Sequence, residues 1–410
     1  MSVSAWERRE SLPHFPALDG IRGPFAIAVL SYHAGMGFSG ALTMMTGFFV
    51  LSGFLITALL LHEWQRTGSI DLLRFVLNRA RRLLPAAMLV IVLIAIFWNV
   101  LPLMWIPEDA NYDAIRRMNV DLLSATFYVY NWRRAYGPEW QGFTALYYPN
   151  PPEASPVSHL WSLSVEEQFY AFFPVITLIL LKGFRNVWAL AGASVIGILA
   201  ILVFGPWLGN PDGPQVLPLV DRLYNGTDTR MTEVLCGVIV GVVYSTPRGR
   251  EILLGSRITR TLGTVAALIA LYWIFNAHIS DWWIYQRGLV VIGAVYALVI
   301  AACIQPTGLL VRVVSWSPFR WIGLRTYGLY LYHFPIQCWV DERSVDWGDW
   351  TLYGIRMLLS VVAAAVSYEF LELPIRRGTA PRRSWWWAVA GMGFLAVTLT
   401  AVTIGVWRPA

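Results

Sequence analysis

The feature that most constrains this chain is a succession of apolar runs, each about as long as a bilayer is thick. A spanning helix needs ~20 mostly apolar residues. Eleven stretches qualify: 18–37, 41–62, 84–104, 159–181, 187–205, 228–246, 261–277, 287–305, 322–341, 351–373 and 385–407. A helix satisfies its own backbone hydrogen bonds, so it can cross hydrocarbon where an open strand cannot. Composition agrees. Of 410 residues, 57% are hydrophobic and 14% charged, against about 25% charged in an ordinary soluble domain. Mean hydropathy is +0.53. The pattern predicts an all-α, polytopic integral membrane helix bundle of about eleven transmembrane helices. It excludes a disordered chain and most soluble enzymes.

The net charge of +6 comes from 31 basic residues, all arginine except Lys182. They sit between apolar runs, a spacing that sets membrane topology rather than nucleic-acid binding. With the N-terminus in the cytoplasm, 21 of the 31 fall on cytoplasmic segments. That bias predicts a multi-pass protein of the bacterial cytoplasmic membrane with its N-terminus inside. Residues 1–17 are polar and lack a signal-peptide pattern. Cys236, Cys303 and Cys338 lie in apolar stretches without CxxC spacing, so they read as small core residues. The outer segment 105–158 carries Trp105, Trp132, Trp140, Tyr147 and Tyr148. It reads either as an interfacial aromatic belt or as a lid or acceptor-binding loop.

Ionisable side chains inside apolar helices are costly and mark functional sites. Asp19 and Arg22 stand one turn apart and can meet on one face. His33, preceded by Tyr32, lies 11 residues past Arg22, roughly 16 Å along a helix. His333 lies equally deep in a span of the same direction. Glu166 and Glu167 enter the fourth span side by side, ~100° apart on the helix, so one at most faces a shared site. Arg79 and Arg82 share a helix face before the third span. They read either as topology anchors or as an anion site, because guanidinium groups bind phosphate bidentately. The six histidines show no HxxxH or HExxH spacing, and no metal is expected.

Taken together, these residues resemble acyltransferase family 3, the membrane O-acyltransferases. Leu18-Asp19-Gly20-Ile21-Arg22-Gly23 with His33-Ala34 is similar to the family's opening motif. Gly47 to Ile56 resembles its second-span motif, and Arg79 and Arg82 its RxxR stretch, with Asn78 where a further Arg is frequent. His159-Leu160-Trp161-Ser162-Leu163-Ser164-Val165-Glu166-Glu167-Gln168-Phe169-Tyr170 resembles the fourth-span segment. Gly226-Thr227-Asp228-Thr229-Arg230, Tyr327 to His333 and Glu372 to Arg376 resemble three later motifs in order.

The resemblance implies an enzyme that moves an acyl group, commonly acetyl from acetyl-CoA, to a hydroxyl of a cell-envelope glycan, a glycolipid or a sugar-bearing antibiotic. His33 is then general base or transient acyl carrier, and Glu167, preferred to Glu166 through the motif alone, its partner. Arg79, Arg82, Asp19 and Arg22 are expected to hold the acyl-CoA. Tyr32, Glu166, His159, Trp161, Ser164, Asp228, Arg230 and His333 are substrate-binding or structural candidates. Residues 1–378 form the acyltransferase domain, and 379–410 a cytoplasmic linker with an extra C-terminal span. Some family members carry a fused extracytoplasmic esterase-like domain. An end at Ala410 leads to the expectation that the membrane domain handles the acceptor alone or that a separate extracytoplasmic partner replaces that domain. The rival from another class is a proton-coupled transporter or flippase, which the embedded charges would also suit.

Overall fold

The computed structural model describes residues 13–99, 112–136, 155–208, 222–281, 283–340, 348–377, 390–395 and 398–399. Residues 105–111 and 137–154 of the outer segment, and most of the expected eleventh span and of residues 379–410, lie outside the described residues. Every regular element among the described residues is helical. In chain order the helices are α1 (Pro16–His33), α2 (Leu42–Thr67), α3 (Leu72–Asn99), α4 (Tyr112–Thr126), α5 (Tyr130–Tyr136), α6 (Trp161–Phe184) and α7 (Trp188–Leu208). There follow α8 (Thr227–Ser245), α9 (Pro247–Gly255), α10 (Arg257–Asn276), α11 (Leu289–Cys303), α12 (Leu309–Val314), α13 (Ser317–Leu324), α14 (Thr326–Trp339), α15 (Asp349–Ser367) and α16 (Leu373–Arg376).

Six helical stretches among the described residues are long and apolar enough to cross a membrane: Leu42–Thr67, Leu72–Phe97, Ser158–Phe184, Trp188–Gly205, Arg257–Asn276 and Asp349–Arg376. The other expected spans differ for local reasons. The first and sixth are helical, but they carry Asp19 and Arg22, and Asp228, Arg230 and Glu233, which lower their hydropathy. The eighth is shortened to Leu289–Cys303 by a π-helical turn at Ile284–Gly288. The ninth is split into α13 and α14, the second of only 14 residues.

Burial sorts the bundle into a centre and a rim. In α2, 78% of the most apolar window is buried, against 22% in α7 and in α10. The rim helices turn large apolar side chains outward: Phe172 is 67% exposed, Ile196 69% and Phe370 80%. A water-soluble protein rarely exposes such a surface, whereas lipid tails cover it without cost. Inside, α2 packs on α8, α11, α1 and α6, and α1 packs on α13.

Glycine permits two of the central crossings. Gly53 of α2 lies against the Val234 backbone carbonyl of α8, and Gly237 of α8 against the Val50 carbonyl of α2. Gly23 and Gly323 make the same kind of approach between α1 and α13, against the carbonyls of Phe319 and Asp19. Small residues at membrane helix interfaces allow this close packing. The end of α1 is also set by glycine. Gly35 (φ 80°) and Gly37 (φ 66°) turn the backbone left-handed, so the helix stops at His33. Capping residues start other helices: Thr246 accepts from the Gly249 amide and Ser256 from the Thr259 amide.

Replacing Gly237 with valine drives a Cβ into the Val50 carbonyl. The expected loss is ~1–3 kcal/mol, read as a lower thermal midpoint in detergent. Gly192→Ala, whose Cβ meets open space, should leave the midpoint within about 0.5 kcal/mol of the original.

Candidate functional site

The C-terminus of α1 and the middle of α14 bring the two deep histidines together. His33 Nδ1 lies 2.8 Å from His333 Nε2, and the rings stack at 5.1 Å with 14° between planes. His333 is fully buried. Its other nitrogen lies 2.7 Å from the Tyr330 carbonyl oxygen and 3.2 Å from that of Leu329. His33 is only half-buried and faces a small chamber of about 20 Å³, room for roughly one water. The chamber walls are aromatic: Tyr32, His159, Trp161, Tyr224, Tyr330 and Phe334. His159 comes from the 3₁₀ turn Ser158–Leu160, packs edge-on against His333 at 5.2 Å and stacks on Phe334.

A second, larger cavity of about 520 Å³ adjoins this chamber. Met45 and Tyr330 line both spaces. The Tyr330 hydroxyl is held 2.5 Å from Ser162 Oγ and donates to the His159 carbonyl, so its ring forms the neck between them. The cavity is lined by Arg22, Arg79, Arg82 and Arg376, with Asp19 and Glu166. Arg22 pairs with Asp19 at 3.0 Å, and His14 holds the other Asp19 oxygen at 2.6 Å. Ser52 donates to Glu166 Oε1 at 3.0 Å, and the Tyr170 hydroxyl lies 3.2 Å from Oε2. Arg79 lies over the Tyr170 and Phe75 rings, at 5.1 and 5.7 Å from their centroids. Arg79, Arg82 and Arg376 make no ion pair among the described residues, and Arg82 feels the like charges of the other two. The cavity therefore carries positive charge that its own carboxylates do not balance.

The remaining candidates stand in different places. Glu167 lines neither space and is not brought to His33; its Oε1 is buried without a hydrogen bond. His333 makes the contact to His33 that Glu167 was expected to make. Ser164 is buried in α6 and bonds back to the Leu160 carbonyl at 3.1 Å. Asp228 takes a two-point contact from Arg222, at 2.9 and 2.5 Å, and accepts from the Thr229 amide at the start of α8. Arg222 has its pKa raised; burial opposes the shift, and the Asp228 contacts outweigh it. Arg230 is fully buried, 3.1 Å from Glu233, beneath the rings of Phe49, Trp161 and Tyr224. Since Trp161 and Tyr224 also wall the chamber, this ion pair supports the chamber from behind.

Sequence reasoning missed Tyr330, Ser52 and Tyr170 as cavity residues, and it missed Arg376. Each lies within or beside a motif quoted above, but nothing in the spacing says which helix faces which. Of the outer segment, α4 and α5 are described. They are tied to α6 through Gln168, which takes the Trp132 indole at 3.1 Å and donates to the Tyr128 carbonyl at 2.7 Å. Arg133 and Asp121 pair across the α4–α5 corner at 2.6 Å.

The acyltransferase-domain family matches residues 15–369, a range that holds every residue of the histidine chamber. The chain belongs to acyltransferase family 3. Among curated relatives it is 34% identical over 382 residues to the O-acetyltransferase OatA of Staphylococcus aureus (strain NCTC 8325 / PS 47), covering 90% of this chain and 58% of that protein. It is 31% identical over 378 residues to the peptidoglycan O-acetyltransferase OatA of Listeria monocytogenes serovar 1/2a (strain ATCC BAA-679 / EGD-e), covering 90% and 57%. The chain thus spans little more than half the length of these relatives. No solved structure matches it.

A test of the support beneath the histidine chamber follows from Arg230. Glu233→Gln keeps the shape and leaves a buried cation unpaired, with an expected loss of ~3–5 kcal/mol. The double variant Arg230→Met/Glu233→Leu should recover most of that loss in the same detergent melting assay.

Proposed function

We propose that the chain is an integral membrane O-acetyltransferase of the bacterial cytoplasmic membrane. It moves acetyl from acetyl-CoA, entering from the cytoplasmic side, to a hydroxyl of an envelope glycan on the other side. The names of the relatives favour peptidoglycan as that glycan. The observation that carries the reading is the pair of joined spaces. An arginine-lined cavity of about 520 Å³, within the usual range for a cofactor site, ends at Tyr330 against the chamber of His33.

Each part has a task. Arg79, Arg82 and Arg376 meet the phosphates of the donor, since unpaired guanidinium groups favour bidentate contact with phosphate oxygens. The acyl-bearing arm extends past Tyr330 and Met45 toward His33. The acceptor hydroxyl oxygen attacks the thioester carbonyl, so a C–O bond forms as the C–S bond breaks. His33 takes the hydroxyl proton through Nε2 and passes it to the departing CoA thiolate. His33 stands at the C-terminus of α1, where the helix dipole favours the transient positive charge. The embedded Asp19 and Glu166, which also suggested a proton-coupled transporter, are engaged with Arg22, His14, Ser52 and Tyr170 inside the donor cavity. They therefore read as parts of a binding site.

The experiment is transfer of labelled acetyl from acetyl-CoA to peptidoglycan fragments by detergent-purified protein. His33→Ala should abolish His33-dependent CoA release and ester formation while leaving donor binding in place. Release at the original rate by that variant would remove His33 from the chemistry. Arg79→Ala with Arg82→Ala should raise the acetyl-CoA Kd at least about tenfold, since each hydrogen bond to a charged group contributes ~1.5–3 kcal/mol. An unchanged Kd would return both arginines to the role of topology anchors.

A further inference from the structure

We propose that His333 is a positioning residue that decides which nitrogen of His33 is basic. This rests on His33 being the proton acceptor in the transfer reaction. Nδ1 of His333 lies 2.7 Å from the Tyr330 carbonyl oxygen and 3.2 Å from that of Leu329. A carbonyl oxygen only accepts, so this nitrogen carries the proton. A neutral imidazole has one N–H, which leaves Nε2 of His333 as a bare lone pair. That lone pair lies 2.8 Å from Nδ1 of His33. Two lone pairs at this distance repel, so Nδ1 of His33 carries a proton and donates it. Nε2 of His33 is then the basic atom, and it makes no hydrogen bond among the described residues.

The surroundings keep His333 neutral. The rings stacked on or tilted against it are those of His33, His159, Tyr330 and Phe334, none of them anionic. A fully buried imidazolium without a carboxylate partner is costly. His333 cannot itself act as base, because its lone pair is occupied. The assignment is durable for a mechanical reason: the two carbonyls belong to α14, and neither turns away unless the helix unwinds. The tautomer passes from peptide groups through one ring to the next, as the second nitrogen of a histidine commonly fixes the role of the first.

The test uses the full chain, labelled with ¹⁵N-histidine, in detergent. The expected spectrum shows His33 protonated at Nδ1, with a ¹⁵N–¹⁵N coupling across the hydrogen bond to an unprotonated His333 nitrogen. His33→Ala and His333→Met each remove it and so assign it. Turnover provides the second arm. His333→Met, which cannot accept from His33, should lose roughly 10–100-fold in kcat, the usual effect of losing an orienting partner, with acetyl-CoA binding unchanged. His333→Gln, which can donate to the carbonyls and accept from His33, should regain much of that rate. His33 protonated at Nε2, or equal turnover by the Met and Gln variants, overturns the proposal. Coupling absent with transferase activity present overturns this assignment alone. Coupling present in a protein without transferase activity upholds the assignment and overturns the transferase reading.

Discussion

A histidine in the hydrocarbon layer needs a partner for each nitrogen that water would otherwise satisfy. The contact between His33 and His333, with the Tyr330 and Leu329 carbonyls, supplies partners for three of their four nitrogens and leaves Nε2 of His33 without a hydrogen bond among the described residues; much of the bundle is arranged to permit it. The two residues are 300 positions apart in the chain, so no local preference brings them together. What does is the pressing of α1 onto α13, where Gly23 and Gly323 allow backbone to meet backbone. The next helix, α14, follows α13 after Arg325 and inherits that placement. The glycines of the opening motif therefore act at a distance: they bring two helix axes close enough for two imidazoles to share a proton.

The charges follow a second constraint, which is separation. Carboxylates and arginines inside a membrane protein are affordable when they face one another or a wet space. Asp19 and Arg22 pair with each other, Asp228 with Arg222, and Arg230 with Glu233. Arg79, Arg82 and Arg376 are the exception among the described residues that line the cavity. An electrostatic surplus of this kind is unfavourable in the empty protein, and a polyanionic ligand relieves it. The aromatic neck at Tyr330 then keeps the surplus away from the neutral histidine chamber. In the proposed reaction, binding and proton transfer are thereby given different dielectric surroundings within one bundle.

Much of this was legible in the sequence because a bilayer writes its demands in composition. Apolar runs of spanning length, and arginines between them, announced helices and a membrane. His33, Arg79, Arg82, Asp19 and Arg22 were visible as polar groups where polar groups are costly. What could not be read was which helices face each other. His33 and His333 had equal depth, yet depth says nothing of azimuth. Glu167 was favoured over Glu166 from motif alone, while helical phase places Glu166 in the arginine cavity and leaves Glu167 outside it. Arg376 lay in a quoted motif, but it follows a π-helical turn at Tyr368–Glu372, which no spacing rule foretells. The short α12 to α14 segments were hidden for a related reason: apolar runs look continuous whether or not the helix within them is broken.

Asn78 lies in the same helix as Arg79 and Arg82. It occupies a position where a further arginine is frequent in the family that the chain resembles, so this stretch brings one cation fewer. The cavity does not depend on that position alone. Arg22 enters from α1 and Arg376 from α16, so the cationic lining is assembled from three separate parts of the chain. Such a lining is less sensitive to one substitution than a single basic stretch is, because the guanidinium groups converge from independent helices. In the proposed reaction it also ties donor binding to the fold: α1 carries Arg22 in its N-terminal half and His33 at its C-terminal end. In the proposed reaction a donor held beside Arg22 is aligned along the same helix with the His33 imidazole, and α1 becomes the ruler between the two halves of that reaction.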